Sequence, residues 1–262
     1  MLSRLTRTRA VAVCAAPVVA LLAVAAFAPL PYVIAQPGAT ADVLGEHQGT
    51  EVISISGAPV RETTGALRMT TILATGPGTE VGLGDVAESW FRTDRSVLPR
   101  ESVYPPGKSV EQVAERNLAA MTDSQHDATR AALGYLGEDP KKVKVTLRLA
   151  DVGGPSAGLL FSLGIVDKLD GDGDGGDLTG GRSIAGTGTI TADGKVGAVG
   201  GVALKTQAAQ RDGATVFLVP RGECADARAG ETKGLRLIPV STLKGAVDSL
   251  RALERGEKVP SC

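Results

Sequence analysis

Apolar and polar residues alternate without a break from Lys142 to Ala150 (KVKVTLRLA). Val143, Val145, Leu147 and Leu149 fall on one face and Lys144, Thr146 and Arg148 on the other, which predicts a half-buried strand. From Ala157 to Leu169 the pattern changes to apolar nearly all round (Leu159, Leu160, Phe161, Leu163, Ile165, Val166), which predicts a helix sunk in a core. Between them lies Asp151-Val152-Gly153-Gly154-Pro155-Ser156-Ala157-Gly158, a glycine-lined strand-to-helix turn whose approach Pro155 fixes. The first N–H groups of a helix lack intrahelical partners and carry the positive end of its dipole. A serine at that point has anion-stabilising donors beside it, as acyl transfer requires. The ordinary alternative is that Ser156 only turns the chain and caps the helix.

Around this turn the pattern predicts strands over Glu51–Ser56 and Ala66–Ala74, and a short helix over Asp85–Phe91 with Val86 and Trp90 four apart. Ser96–Lys108, with three prolines, reads as loop. Ser109-Val-Glu-Gln makes a capping box for a long helix, with Val110, Val113, Leu118, Met121, Ala132 and Tyr135 as a broken apolar stripe and Gly137 and Pro140 as the stop. Ser183–Thr191 and Lys195–Val199 flank Ala192-Asp193-Gly194 as a hairpin. A helix over about 202–211 follows, then strands Thr215–Val219 and Leu235–Val240. Ser241 or Thr242 caps a last helix with Leu243, Val247, Leu250 and Leu253 inward. Strands and helices mix without a regular βαβ alternation, so the expected class is α+β. Asp170, Asp172, Asp174 and Gly175 imitate half a calcium loop, but Gly181 stands where the bidentate Glu belongs; a solvated, flexible insert is expected instead.

The N-terminus changes the picture of where this core works. Arg4, Arg7 and Arg9 precede an uncharged run from Ala10 to Ala35, longer than the roughly 20 residues that span a bilayer. Arginines stay on the cytoplasmic side, so the run predicts a single-pass anchor with everything after about Gln36 outside. A cleaved signal peptide, cut near Val33-Ile34-Ala35, is the alternative. Cys224 and Cys262 are the two cysteines outside this segment, which also holds Cys14; an exported address predicts that they pair. The 262 residues carry a net charge of −1 and 3% aromatics, so there is neither a basic stripe nor a stacking platform, and nucleic acid is not an expected partner.

What could activate Ser156 is a question of order. Gly154-Pro155-Ser156-Ala157-Gly158 fits G-x-S-x-G, but an α/β-hydrolase needs its histidine after the serine, and His47 and His126 both precede it. A neutral lysine is the other common base. Of the six lysines after Ser156, Lys168 is on the serine's own helix, about 18 Å along at 1.5 Å per residue. Lys195 and Lys233 sit in turns, Lys244 on a polar face and Lys258 in the tail. Lys205 has Gly201, Val202, Ala208 and Ala209 as helical neighbours and no carboxylate to pair with. Desolvation there would lower its pKa from about 10.4 toward about 7–8. Local sequence alone leaves a solvent-facing lysine as the plain alternative.

GGPSAG, then AGTGTI at Ala185–Ile190, DGKVGAVGG, Lys205 and TVFLVP at Thr215–Pro220 together resemble the proteolytic domain of Lon-type proteases. They resemble most nearly the membrane-anchored Lon-like proteins of bacteria. The resemblance spans Glu51 to Leu253. It implies a ribosomal-protein-like α+β fold with Ser156 as nucleophile, Lys205 as general base and Thr187 orienting that lysine. Backbone N–H groups around Gly153, Gly154 and Ser156 would form the oxyanion hole. No AAA+ motor is present: Gly107-Lys108-Ser109 echoes a Walker A end, but Ser102 replaces its first glycine and Pro105-Pro106 break the loop, so ATP is not an expected ligand. Only Gly137–Lys141 lies where anchored relatives carry a PDZ module.

The expected division is a cytoplasmic stub and anchor over 1–35, a juxtamembrane linker over 36–50, an N-terminal extracytoplasmic part over 51–140, a proteolytic core over 141–253 and a tail over 254–262. The expected function is an anchored, cofactor-free serine endopeptidase acting on exported or envelope proteins. A non-catalytic anchored adaptor is the rival. Homo-oligomers are common among Lon proteases, but no residue pattern here specifies one.

Overall fold

The computed structural model describes residues 6–149, 154–230 and 233–262. Arg4, the strand end at Ala150 and the turn residues Asp151, Val152 and Gly153 lie outside the described residues. In chain order the elements are α1 (Arg7–Phe27), β1 (Tyr32–Asp42), β2 (Glu46–His47), β3 (Thr50–Glu51), β4 (Ile53–Ser56), β5 (Ala66–Ala74), α2 (Leu83–Trp90), β6 (Ser96–Pro99), α3 (Arg100–Val103), α4 (Val110–Leu136) and β7 (Lys144–Leu147). After a 3-10 turn at Pro155–Ala157 come α5 (Gly158–Leu169), β8 (Ser183–Gly186), β9 (Thr189–Ile190), β10 (Val196–Gly197), α6 (Val202–Arg211), β11 (Val216–Pro220), α7 (Cys224–Ala229), β12 (Arg236–Val240) and α8 (Leu243–Glu254). They fall into two compact units, Met1–Ala35 with Ala74–Gly107, and Gln36–Leu73 with Lys108–Cys262.

In the smaller unit the apolar run divides in two. Helix α1 stops at Phe27, short of the expected Ala35, because Pro29 and Pro31 withhold N–H donors and push their predecessors to extended backbone. Tyr32–Ala35 instead pair antiparallel with Ser96–Pro99 of β6, Tyr32 opposite Pro99 and Ala35 opposite Ser96. Ser96–Lys108, expected as loop, therefore holds β6 and α3. Helix α1 contains Pro17 and is long and apolar enough to cross a membrane.

In the larger unit the strand order is β12-β11-β8-β5-β1. β5, β8, β11 and β12 are parallel neighbours, with α6 and α7 as the crossovers from β8 to β11 and from β11 to β12. The class is α+β as expected, but it includes two consecutive βαβ steps that the pattern did not show; α7 is only six residues long and its sequence, CADARA, has no apolar stripe. The stretch 36–50, expected as linker, is strand β1 followed by the β2–β3 hairpin, with Val43 fully buried.

Helix α5 is buried on every side from Gly158 to Lys168, as its sequence predicts. It packs against α4 and α8. The alternating stretch pairs as β7 with β4, Ile53 opposite Leu147 and Ser56 opposite Lys144. The capping box of α4 forms: Gln112 N–H donates to Ser109 Oγ at 3.3 Å, and Ser109 N–H to Gln112 Oε1 at 3.0 Å. Its N-terminal stripe differs from expectation, since Val110 and Leu118 are exposed. The buried face is Met121 and Ala132 of that stripe together with Ser124, Ala128, Ala131 and Leu133, and its serine and alanines let α5 approach closely. Gly158 shows how closely: a Cβ there would lie 2.8 Å from both Ser124 Oγ and Ile190 Cγ2.

Two loops also differ from expectation. The aspartate-rich segment is held rather than free: Arg61 donates to the carbonyls of Asp170 (3.2 Å) and Gly175 (2.9 Å), and Arg251 pairs with Asp170 at 3.1 Å. Guanidinium groups supply the positive charge that its carboxylates need. Ser183–Thr191, expected as one strand, breaks into β8 and β9 at Thr187-Gly188, where Gly188 N–H donates to Ser156 O at 2.9 Å. Cys224 and Cys262 are paired, their Cα atoms 5.3 Å apart, within a second apolar cluster around Phe217 and Leu237.

Candidate active site

The serine turn is fixed from below by α4. Ser124 Oγ donates to Pro155 O at 3.0 Å, and Gly154, at φ 95°, donates its N–H to Asn117 O at 3.3 Å. A positive φ of this kind is open to glycine and strained for other residues. Ser156 is half-buried and lines a cavity of about 410 Å³ together with Thr71, Ile72, Pro155, Thr189, Ala198, Val199, Gly200 and Lys205. A larger cavity of about 590 Å³, lined by residues of β1 and β5, shares Thr71 and Ile72 with it and includes His47 and Arg211.

Lys205 enters that first cavity from α6. It is only 4% exposed, and its Nζ donates to Thr187 Oγ1 at 3.1 Å. Thr187, itself fully buried, donates its hydroxyl to Ser156 O at 3.3 Å. That single proton is thus committed, and the hydroxyl oxygen can only accept from the lysine. Burial lowers the Lys205 pKa to about 8, opposed by the negative charge of Glu223.

The other lysines downstream are engaged or exposed. Lys168 Nζ pairs with Glu51 at 2.6 Å, Lys195 with Asp193 at 2.9 Å, and Lys244 with Asp248 at 2.7 Å; Lys233 and Lys258 are exposed. His126 is exposed on α4. Of the expected oxyanion donors, Gly153 lies outside the described residues, and the Gly154 amide is turned to Asn117. Among the described residues no group of His, Cys, Asp and Glu is arranged to hold a metal.

Two residues of this site escaped the sequence reading. Ser124 carried a usable signal, since it stands three residues after Met121 and four before Ala128 on the helix face that is buried. Glu223 carried none: its bearing on Lys205 is long-range. One of its carboxylate oxygens accepts from Val199 N–H at 2.9 Å, fixing a wall of the cavity, while the other is buried without a hydrogen-bond partner.

Residues 139–250 match the family model of the Lon protease (S16) C-terminal proteolytic domain. The chain is similar to Lon protease of Xanthomonas oryzae, 29% identical over 180 residues that cover 64% of this chain and 20% of that protein. It is similar also to Lon protease 1 of Syntrophobacter fumaroxidans, 30% identical over 186 residues (66% and 22%). A third relative is Lon protease of Roseiflexus castenholzii, 27% identical over 154 residues (53% and 18%). The chain thus spans about a fifth of the length of these relatives. The matched part is the one that holds the Ser156 turn, Thr187 and Lys205, and over those residues the chain carries a Lon-type proteolytic domain.

Proposed function

We propose that the protein is a membrane-anchored serine endopeptidase that works without ATP and uses Ser156 and Lys205 as a dyad on proteins outside the membrane. The observation that carries this reading is the setting of Lys205: buried, hydrogen-bonded to a hydroxyl rather than paired with a carboxylate, and facing the cavity that Ser156 also lines. With a pKa of about 8, about a tenth of the lysine is neutral at pH 7. Neutral Lys205 takes the proton from Ser156 Oγ as that oxygen attacks the peptide carbonyl carbon. It returns the proton to the departing amine, leaving an acyl-enzyme that water hydrolyses with the lysine again as base. Thr187 holds the amine while leaving its lone pair unused. The developing oxyanion needs an amide of the turn other than Gly154, or Gly154 released from Asn117. The cavity lining of Ile72, Pro155, Ala198 and Val199 suits an aliphatic side chain beside the scissile bond.

The address rests on α1, whose stretch Arg7–Val24 is apolar with none of its described residues buried, and on arginines at its N-terminal end. A cleavage after Ala35 would fall inside β1, which favours a retained anchor over a removed signal peptide. Pairing of Cys224 with Cys262 suits an oxidising compartment. The test is a serine-directed acylating probe applied to the full chain in membranes. It should label the wild type at Ser156 and leave Ser156→Ala unlabelled. Equal labelling of both, with no peptide hydrolysis by the wild type, would favour the adaptor reading.

A further inference from the structure

Helix α2 of the smaller unit has its apolar side facing outward. Leu83, Ala87 and Trp90, at i, i+4 and i+7, form one stripe, and all three are exposed, Trp90 at 83%. Phe91, the residue that caps the helix, is 88% exposed. The residue this helix buries is a serine, Ser89. Asp85 and Glu88 occupy the polar side, with the Asp85 carboxylate accepting from Gly82 N–H at 2.8 Å and Glu88 paired with Arg95 at 3.1 Å. An amphipathic helix that turns an aromatic stripe to water is costly in a soluble protein, so something apolar covers it.

The same unit says what that cover is. Helix α2 packs against α1, and Leu30 N–H donates to Val81 O at 2.8 Å. That bond ties the start of α2 to the residues just past the C-terminal end of α1. If α1 crosses the bilayer, α2 starts where the chain leaves it. Tryptophan combines a large apolar body with one N–H donor, which suits the headgroup boundary. A short helix with an aromatic stripe on one side and acids on the other suits a position lying in that boundary.

We propose that the stripe Leu83–Ala87–Trp90, with Phe91, is a membrane-contact surface that seats α2 in the outer headgroup and upper acyl layer beside the anchor. This rests on the anchor reading of α1. A lipid surface is favoured over a protein partner because the stripe is continuous, through the Leu30–Val81 bridge, with α1, the one helix among the described residues that is long and apolar enough to cross a membrane.

Trp90 is the only tryptophan of the chain, so the native protein carries its own probe. The full chain is reconstituted in phosphatidylcholine–phosphatidylglycerol vesicles, with brominated acyl chains in a parallel set and iodide as the aqueous quencher. An environment-sensitive thiol probe on Cys14, the free cysteine of α1, reports the anchor separately. The expected result is blue-shifted Trp90 emission, quenched more by bromines high on the acyl chain than by deep ones and protected from iodide. Trp90 open to iodide while the Cys14 probe is quenched by lipid would overturn the membrane contact and leave the anchor standing. Trp90 shielded from both quenchers would mean that protein covers the stripe, and would overturn it too. A Cys14 probe exposed to water would remove the anchor and this surface with it.

Discussion

The larger unit buries two lysines on two different helices and treats them in opposite ways. At the end of α5, Lys168 is 6% exposed and pairs with Glu51 at 2.6 Å, and the Glu51 carboxyl is held below its usual range by that hydrogen bond. On α6, Lys205 is buried as deeply but donates to the hydroxyl of Thr187 and forms no ion pair among the described residues. A buried charge is tolerated when it is paired and is expensive when it is not. The first region is arranged for stability. The second holds a cation destabilised by burial, and under the proposed mechanism its neutral form is the useful one.

The sharpest way to break the comparison is to exchange each lysine for methionine. Lys205→Met should lower peptide hydrolysis by roughly 10³-fold or more, to the level of Ser156→Ala, with the double variant no worse, because nucleophile and base act as one unit. Lys168→Met should leave kcat within a few-fold of wild type. A double variant far below both single ones would mean that the two residues act separately.

Stability should move in the opposite sense. The Lys205 pKa falls from 10.5 unfolded to about 8 folded, so the unfolded chain binds more protons between those values and wild-type stability rises with pH through that window. Below about pH 8 the full cost is present, on the order of 3 kcal/mol. Lys205→Met should therefore stabilise the domain at pH 7, with a gain that shrinks between about pH 8 and 10.5. Denaturant melts at several pH values check this; destabilisation at pH 7 would mean that Lys205 contributes more through its contacts than its burial costs.

A smaller effect sharpens the role of the surroundings. Thr187→Val should lower kcat by about 10–100-fold, the size expected of a misplaced general base, and Thr187→Ser should recover most of it. Glu223→Gln keeps an acceptor for Val199 N–H but removes the negative charge that holds the Lys205 pKa up. The acid limb of the pH profile should then move downward by up to about one unit. An unmoved limb would confine Glu223 to fixing the cavity wall.

Smallest in its bearing on catalysis is the tail. Cys224 and Cys262 are separated by 38 residues, and reducing the pair should cost on the order of 3–4 kcal/mol in the chain-entropy model. Urea melts of oxidised and reduced protein, with hydrolysis measured in parallel, test whether the loss is confined to stability.

How far the sequence could be read follows the range of the interactions. Strand β5, the α4 capping box, the buried α5 and the Thr242 cap of α8 were legible because their signals are local: alternation, spacing and a side chain within one turn. The lack of any carboxylate within one helical turn of Lys205 was legible for the same reason. The end of α1 was overrun because Tyr32–Ala35 are as apolar as the helix before them, and their pairing with β6 depends on residues more than sixty positions away. The aspartate loop looked free because its cations, Arg61 and Arg251, are remote in sequence. Glu223 was invisible for the same reason. The inverted polarity of α2 was half legible, since spacing shows a stripe but cannot show which way it faces.

The most direct test of the central claim is the pH dependence of Ser156 acylation by a serine-directed probe, in the full chain and in Lys205→Arg. Arginine keeps the positive charge but does not deprotonate at usable pH. Wild-type labelling should climb about tenfold per pH unit below the lysine pKa and level off above about 8, while Lys205→Arg should stay near the Ser156→Ala background throughout. A Lys205→Arg protein that labels with the wild-type acid limb would contradict the account and remove Lys205 from the mechanism.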